Sequence, residues 1–144
     1  ELVAKYDISP DRLNIEITET TIMEDTQKNM DVIRQLQEFG FRIEIDDFGS
    51  GYSSLNMLKD INADVLKIDM AFLQATENEK KARDILQAVI ALSEKLGLDV
   101  ITEGVETIDQ VTMLKAMGEN MFQGYYFSKP IPVNEFEQKY ELIP

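Results

Sequence analysis

Charged and amide side chains stand at or just after short apolar runs at five places along the chain: Glu16 and Glu19, Asp46 and Asp47, Lys67 and Asp69, Glu103 and Glu106, and Gln123. Carboxylates, an ammonium and an amide are groups that bind hard cations, orient water and move protons. Each taken singly has an ordinary explanation. An acid after a strand is commonly a helix N-cap or a solvated loop residue, the everyday reading for Asp69 or Glu106, and a lysine inside a strand, such as Lys67, commonly forms an ion pair. The set is harder to explain that way. Glu16, Asp46 and Lys67 interrupt apolar runs where an unpaired charge is costly, and four carboxylates at close range cannot all stay ionised without compensating positive charge. Divalent cations are the cheapest compensation, and with oxygen ligands only, Mg²⁺ or Mn²⁺ suits better than Zn²⁺. In the adjacent pair Asp46-Asp47, one carboxylate can bridge two ions while its neighbour holds the second, with ions about 4 Å apart clamping the attacking and leaving oxygens of a phosphodiester. On that reading Lys67 orients or activates the water and offsets charge on the phosphate, while Glu103 is a second-metal ligand or proton acceptor.

Such a site needs elements that carry distant residues to one place. The sequence repeats one unit, a short β-rich apolar run, a turn, then a longer segment with apolar residues at helical spacing. Strands are predicted at 13–17, 41–46, 65–68, 100–103 and 121–125. Helices are predicted at 24–39, with a stripe of Val32, Ile33, Leu36 and Phe39, and at 79–96, with Ile85, Leu86, Val89, Ile90 and Leu96. Shorter helices are predicted at 54–59 and 133–140, and the chain opens in what reads as a helix tail at 1–6. Thr107 with Gln110 forms a capping-box pattern for a helix running to about Met117. Gly40, Gly97 and Gly118 each fall between a helix and the next strand, where a left-handed residue ends a helix cheaply. Strands alternating with helices pair in parallel, which leaves an open doubly wound sheet or a (β/α) barrel. Neither the dinucleotide-binding glycine fingerprint nor a P-loop is present. An α/β fold in the form of an incomplete (β/α) TIM-like barrel is therefore expected, with about five βα units within one domain spanning 1–144, against eight units and about 250 residues in a full barrel.

Composition narrows the chemistry further. The 144 residues include 27 Asp and Glu against 14 Lys and Arg, a net charge of −13, and contain no His, Cys or Trp. A disulfide, a thiol nucleophile, an imidazole base and a Cys/His zinc site are excluded. The negative balance argues against wrapping by polymeric nucleic acid and against direct membrane contact, and anionic ligands must arrive with cations. With no apolar run near the roughly 20 residues of a membrane span and no signal-peptide pattern, the expected location is cytoplasmic. Phe48-Gly-Ser-Gly-Tyr-Ser-Ser54 has the composition of a mobile loop that approaches a ligand closely, although such turns are common. The aromatics of Gln123-Gly-Tyr-Tyr-Phe-Ser-Lys-Pro130 read first as core and second as a base-stacking platform.

Taken in order, Leu13-Asn-Ile-Glu-Ile-Thr-Glu19, Ile45-Asp-Asp-Phe-Gly-Ser-Gly-Tyr-Ser-Ser54, Leu66-Lys-Ile-Asp69, Thr102-Glu-Gly-Val-Glu106 and the 123–130 segment resemble the successive motifs of the bacterial EAL domain, a cyclic di-GMP phosphodiesterase. The resemblance implies a modified (β/α) barrel in which two Mg²⁺ or Mn²⁺ ions serve hydrolysis of cyclic di-GMP to linear pGpG, within multidomain signalling proteins that carry upstream regulatory domains and often dimerise. By the same resemblance Glu16 and Asp46 are ligands of the first metal, Asp46 bridges, and Asp47 and Glu103 bind the second. Lys67 contacts the hydrolytic water. Glu19 holds the loop after Asp47 and couples the metal site to dimerisation, and Gln123 and Glu106 are further active-site residues. The Glu-Ala-Leu motif and the Asn of the following strand, both sources of first-metal ligands in the family, would lie upstream of Glu1 and are absent here, so the isolated chain is expected to be inactive or very weak and, with exposed strand edges, to self-associate. Ser50 stands where Thr is usual and Thr102 where Ala is usual. Two other readings compete: a non-hydrolytic cyclic di-GMP receptor, which would be expected to lose metal carboxylates or the lysine, and an unrelated Mg²⁺-dependent barrel enzyme such as an enolase-type lyase, which the Asp-Asp-Phe-Gly-Ser-Gly loop does not fit.

Overall fold

The computed structural model describes residues 2–49, 55–74 and 78–141. Four strands, β1 (Asn14–Thr18), β2 (Arg42–Phe48), β3 (Val65–Asp69) and β4 (Asp99–Glu103), form one sheet. All neighbours are parallel and their order in space is their order in sequence. A doubly wound sheet reverses its strand order at a switch point, whereas consecutive order without reversal is the arc of a barrel. Between the strands run α2 (Glu19–Glu24), α3 (Thr26–Glu38), α4 (Leu55–Asp60), α5 (Ala71–Gln74) and α6 (Glu79–Leu96), after the short opening helix α1 (Leu2–Lys5). The chain ends with α7 (Ile108–Ala116) and α8 (Val133–Lys139).

The strands divide cleanly by face, because successive residues point to opposite sides. Ile43, Ile45, Leu66 and Ile68 belong to the core cluster with Ile33, Leu86, Ile90, Val111 and Leu114 of the helices, and Ile15, Ile17 and Val100 pack against it. Alternating with them come Asn14, Glu16, Glu44, Asp46, Lys67 and Glu103, so the opposite face is mostly polar, with Val65 and Ile101 among these groups. Polar pairs tie that face together. Arg42 Nη2 on β2 lies 2.8 Å from Asp99 Oδ2 on β4, and Asn14 on β1 donates to Glu44 on β2.

The predicted helix stripes are rotated in the structure. On α3, Ile33 is buried with Met30 and Leu36 packed against the core, while Val32 and Phe39 are exposed. The i, i+3 line from Met30 to Leu36 lies on the sheet, and Phe39 is already the C-cap residue. On α6 the buried line is Ala82, Leu86, Ile90 and Ser93, whereas Ile85 and Leu96 face outward. An additional helix, α2, begins directly after β1, with Thr18 as its N-cap. The capping box of Thr107 and Gln110 forms, and Gly97 ends α6 at φ 78°.

The fifth strand does not form as predicted. Residues 121–125 contribute one parallel bridge, Phe122 on Thr102. Beyond it the chain curls round the turn after β4: Val105 N donates to Gln123 O at 3.1 Å, and Tyr126 N to Val105 O at 3.0 Å. A Cβ on Gly124 would lie 2.1 Å from the Val105 carbonyl oxygen, so only glycine admits this close approach. Val105 takes the backbone bonds that a continued ladder would need.

A four-strand polar cluster on one lysine

Each of the four strands delivers one charged residue to a common point. Lys67 on β3, only 6% exposed, sets its Nζ 2.9 Å from Glu16 Oε1 of β1, 3.2 Å from Asp46 Oδ1 of β2 and 2.9 Å from Glu103 Oε1 of β4. Thr18 pairs with Asp46 and Asp69 with Glu103 in register, so these groups cluster towards the carboxyl ends of the strands. Ligands collect at that end in barrels, because the βα loops open there. Burial alone would lower the pKa of Lys67. Hydrogen bonds to Glu103, Glu16 and Asp46, with the negative charge of Glu103, outweigh it and hold the ammonium well above the usual lysine range. In this arrangement Lys67 is a donor and a charge-bearer rather than a base.

The adjacent acids Asp46 and Asp47 owe their placement to an irregularity in β2. Ile45 pairs with Leu66 and Phe48 with Ile68, so three steps on β2 match two on β3. The extra residue is a bulge. Between two core residues β2 therefore carries two carboxylates where a regular strand carries one. Asp47 takes φ 58°, a left-handed conformation that Asp tolerates better than most residues, and its side chain is exposed. The bulge is the local feature that the sequence pattern did not reveal.

Glu19 opens α2 and is buried at 5% exposure. Its Oε2 accepts from the Gly49 N–H at 3.3 Å, in the loop just beyond Asp47. Gly49 sits at φ 94°, and a Cβ there would come 2.6 Å from the Phe72 ring. Backbone, carboxylate and ring thus hold the start of this loop. Its continuation, 50–54, with the Ser50 comparison and the predicted helix start at 54, lies outside the described residues.

The remaining sequence candidates stand apart from the cluster. Asp69 Oδ1 accepts from the Ala71 N–H at 2.7 Å and so serves as a local cap. Glu106 is exposed, and its N–H donates to Gln110 Oε1 at 2.7 Å. Gln123 is exposed and is bound through its backbone, its N–H donating to Thr102 O at 2.9 Å. Among the described residues none of these three pairs with Lys67. Sequence reasoning missed Asn14 and Glu44, although two-residue alternation with Glu16 and Asp46 places them on the same face. It also missed the buried pair Thr102 and Glu119, for which the loop sequence after Gly118 carried no signal.

Asp46 Oδ1 and Glu103 Oε1 are buried oxygens that face Lys67 Nζ at 3.2 and 2.9 Å. Together with Glu16 and Asp47 they make an oxygen-only donor set, the chemistry that suits hard divalent cations. No three acids among the described residues surround a common point closely enough to hold an ion. Lys67 occupies the centre that they face.

Comparison with known proteins gives the chain its relatives. The sequence model of the EAL domain matches residues 1–130. The cyclic di-GMP phosphodiesterase NbdA of Pseudomonas aeruginosa is 38% identical over 126 residues, 88% of this chain and 16% of NbdA. Among solved structures, the c-di-GMP complex of the phosphodiesterase PaMucR superposes with a TM-score of 0.84 at 36% identity, covering 93% of this chain and 54% of that one. The manganese and cyclic di-GMP complex of Klebsiella pneumoniae BlrP1 matches with a TM-score of 0.82 at 33% identity, covering 89% and 33%. The chain spans 16–17% of the length of the first curated relatives it matches.

Proposed function

The chain belongs to the EAL domain family, and from that premise we propose that it forms part of a site that hydrolyses cyclic di-GMP to linear pGpG in second-messenger signalling. The observation that carries the proposal is the meeting of Glu16, Asp46, Lys67 and Glu103, one from each of four consecutive parallel strands. A structural ion pair needs one acid. Here three acids from three strands face one buried ammonium, a concentration of charge that a fold gains nothing from unless a ligand or ion uses it.

Glu16, Asp46, Asp47 and Glu103 would hold the divalent cations, Mg²⁺ or Mn²⁺. Bound cations of this kind neutralise phosphate charge and make water a better nucleophile. Lys67 donates to the attacking water and, as a fixed positive charge, stabilises the negative charge that develops on the phosphoryl oxygens. Glu103 accepts the proton that water loses as it attacks phosphorus and returns it to the departing oxygen as one ester bond breaks, leaving a 5′-phosphate and a 3′-hydroxyl. Glu19 holds the loop at Gly49 in place, and Glu106 and Gln123 act from the neighbouring turns on substrate. By itself the chain turns over weakly or not at all, because the Glu-Ala-Leu and Asn ligands of the first metal are not among its residues. Two copies associate, the parent protein carries further regulatory domains, and the reaction takes place in the cytoplasm.

The test is cyclic di-GMP turnover with Mg²⁺ or Mn²⁺, measured on the 144-residue chain and on the longer protein that contains it. Metal-dependent pGpG release by the longer protein, lost on Asp46→Asn and far weaker in the chain alone, is the expected result. Binding of cyclic di-GMP without turnover by the longer protein would replace the enzyme with a receptor.

A further inference from the structure

On the far side of β4 from Lys67 lies a second buried acid that the hydrolytic site does not use. Glu119 is 4% exposed, and Thr102 Oγ1 donates to its Oε2 at 2.7 Å. Among the described residues its buried Oε1 has no hydrogen-bond partner. Thr102 is itself fully buried and sits where the last strand segment joins the sheet. Its N–H donates to Met121 O, the Gln123 N–H donates to its carbonyl, and Phe122 bridges to it. The residue that follows Thr102 is Glu103. The carboxyl of Glu119 therefore clasps, through one hydroxyl, the point from which both Glu103 and Gln123 take their positions.

We propose that Glu119 is a proton-operated positioning residue: protonated and held by Thr102 it keeps residues 121–123 joined to β4, and on losing its proton it releases that join and with it the placement of Glu103 and Gln123. The surroundings oppose a charge there. Glu94 of α6 and Asp99 of β4 line the same cavity of about 270 Å³ as Glu119, and Asp99 is already paired with Arg42. From α7 comes the Leu114 carbonyl, which accepts the Glu119 N–H at 3.2 Å, while Lys115 beside it is exposed. A carboxylate with one buried, unpartnered oxygen is driven towards water; a neutral carboxyl is not. Burial pushes the group up to about 7, and the side-chain and backbone hydrogen bonds from Thr102 only partly oppose it. The inference rests on the phosphodiesterase reading only where it assigns Glu103 and Gln123 to that site.

Hydrogen exchange tests it without substrate or metal, so an inactive phosphodiesterase would leave the result intact. Protection factors for the amides of Thr102, Val105 and Gln123, corrected for intrinsic exchange, are compared at pH 6 and pH 8 in the unmodified chain and in Glu119→Gln. The unmodified chain should lose about tenfold protection at these three amides, and Glu119→Gln should lose none. A role in packing alone predicts the same pH response in both chains, and that outcome overturns the proposal. In the unmodified chain the ¹³C carboxyl signal of Glu119 provides a reading that does not depend on the variant folding. A midpoint near 7 shared with the amide shifts of Thr102 and Gln123 is expected, whereas a midpoint near 4.5, or amide shifts that ignore it, refutes the proposal.

Discussion

Lys67 is the side chain on which the acidic cluster depends. Replacing it by Met removes the positive charge from three facing carboxylates and leaves them repelling one another in a half-buried space. Urea melts of Lys67→Met at pH 7 should show stability lower by about 3 kcal/mol. In the longer protein the same variant should lower kcat by at least about a hundredfold, the scale expected for removing a preorganised donor to a developing charge. Glu119 shifts stability in the opposite sense to an ion-paired acid. Its folded pKa of about 7 lies above its ordinary value of 4.5. Between those values the folded chain binds the proton and the unfolded chain does not, so stability due to Glu119 is complete below about pH 4.5 and is lost as pH rises through 7. The full difference is about 3 kcal/mol, and the melting curves of Glu119→Gln should lack it.

The elements make predictions of a different kind, because each rests on a local rule. Thr107 accepts from the Gln110 N–H while the Gln110 side chain accepts from the Thr107 N–H, closing the box at the start of α7. Thr107→Ala should therefore reduce stability by about 1 kcal/mol, read from the denaturation midpoint. On α3, Ile33→Ala should cost about 2–4 kcal/mol and Val32→Ala less than about 0.5 kcal/mol, although the apolar pattern treats the two alike. The asymmetry follows from the orientation of the helix: Ile33 is 2% exposed and Val32 is 45% exposed. Periodicity located α6 to the residue and the strands to within two residues at their ends. It did not show which i, i+3 line meets the sheet, because both choices satisfy a broad apolar stripe. Nor did it show that 121–125 shrinks to one bridge, since the competing partner, Val105, is identified only once the turn after β4 is folded.

For the whole molecule the governing fact is an excess of negative charge, −13, with four acids drawn to one end of the sheet. Cations that bind the folded cluster better than the unfolded chain must stabilise the fold by mass action. Mg²⁺ or Mn²⁺ at about a hundred times its dissociation constant should raise stability by about 3 kcal/mol. Asp46→Asn should abolish most of that gain, while NaCl at matched ionic strength should reproduce only a small part of it. Thermal melts with and without chelator measure the difference. Among the described residues no helix is long and apolar enough to cross a membrane.

From the amino-acid order alone came the alternation of strand and helix, the parallel sheet, the acids at strand ends and the oxygen-ligand chemistry. Those properties are local or compositional: period-two and period-3.6 patterns, cap residues, and the lack of His and Cys are visible without knowing what touches what. Only the tertiary structure showed that Glu16, Asp46 and Glu103 converge on Lys67, that a bulge places Asp47 beside Asp46, and that Glu119 sits buried behind β4. Strand register, the bulge and the packing of 118–123 set those contacts across separations of up to 51 residues, and no short-range pattern encodes a distance between groups so far apart in the chain.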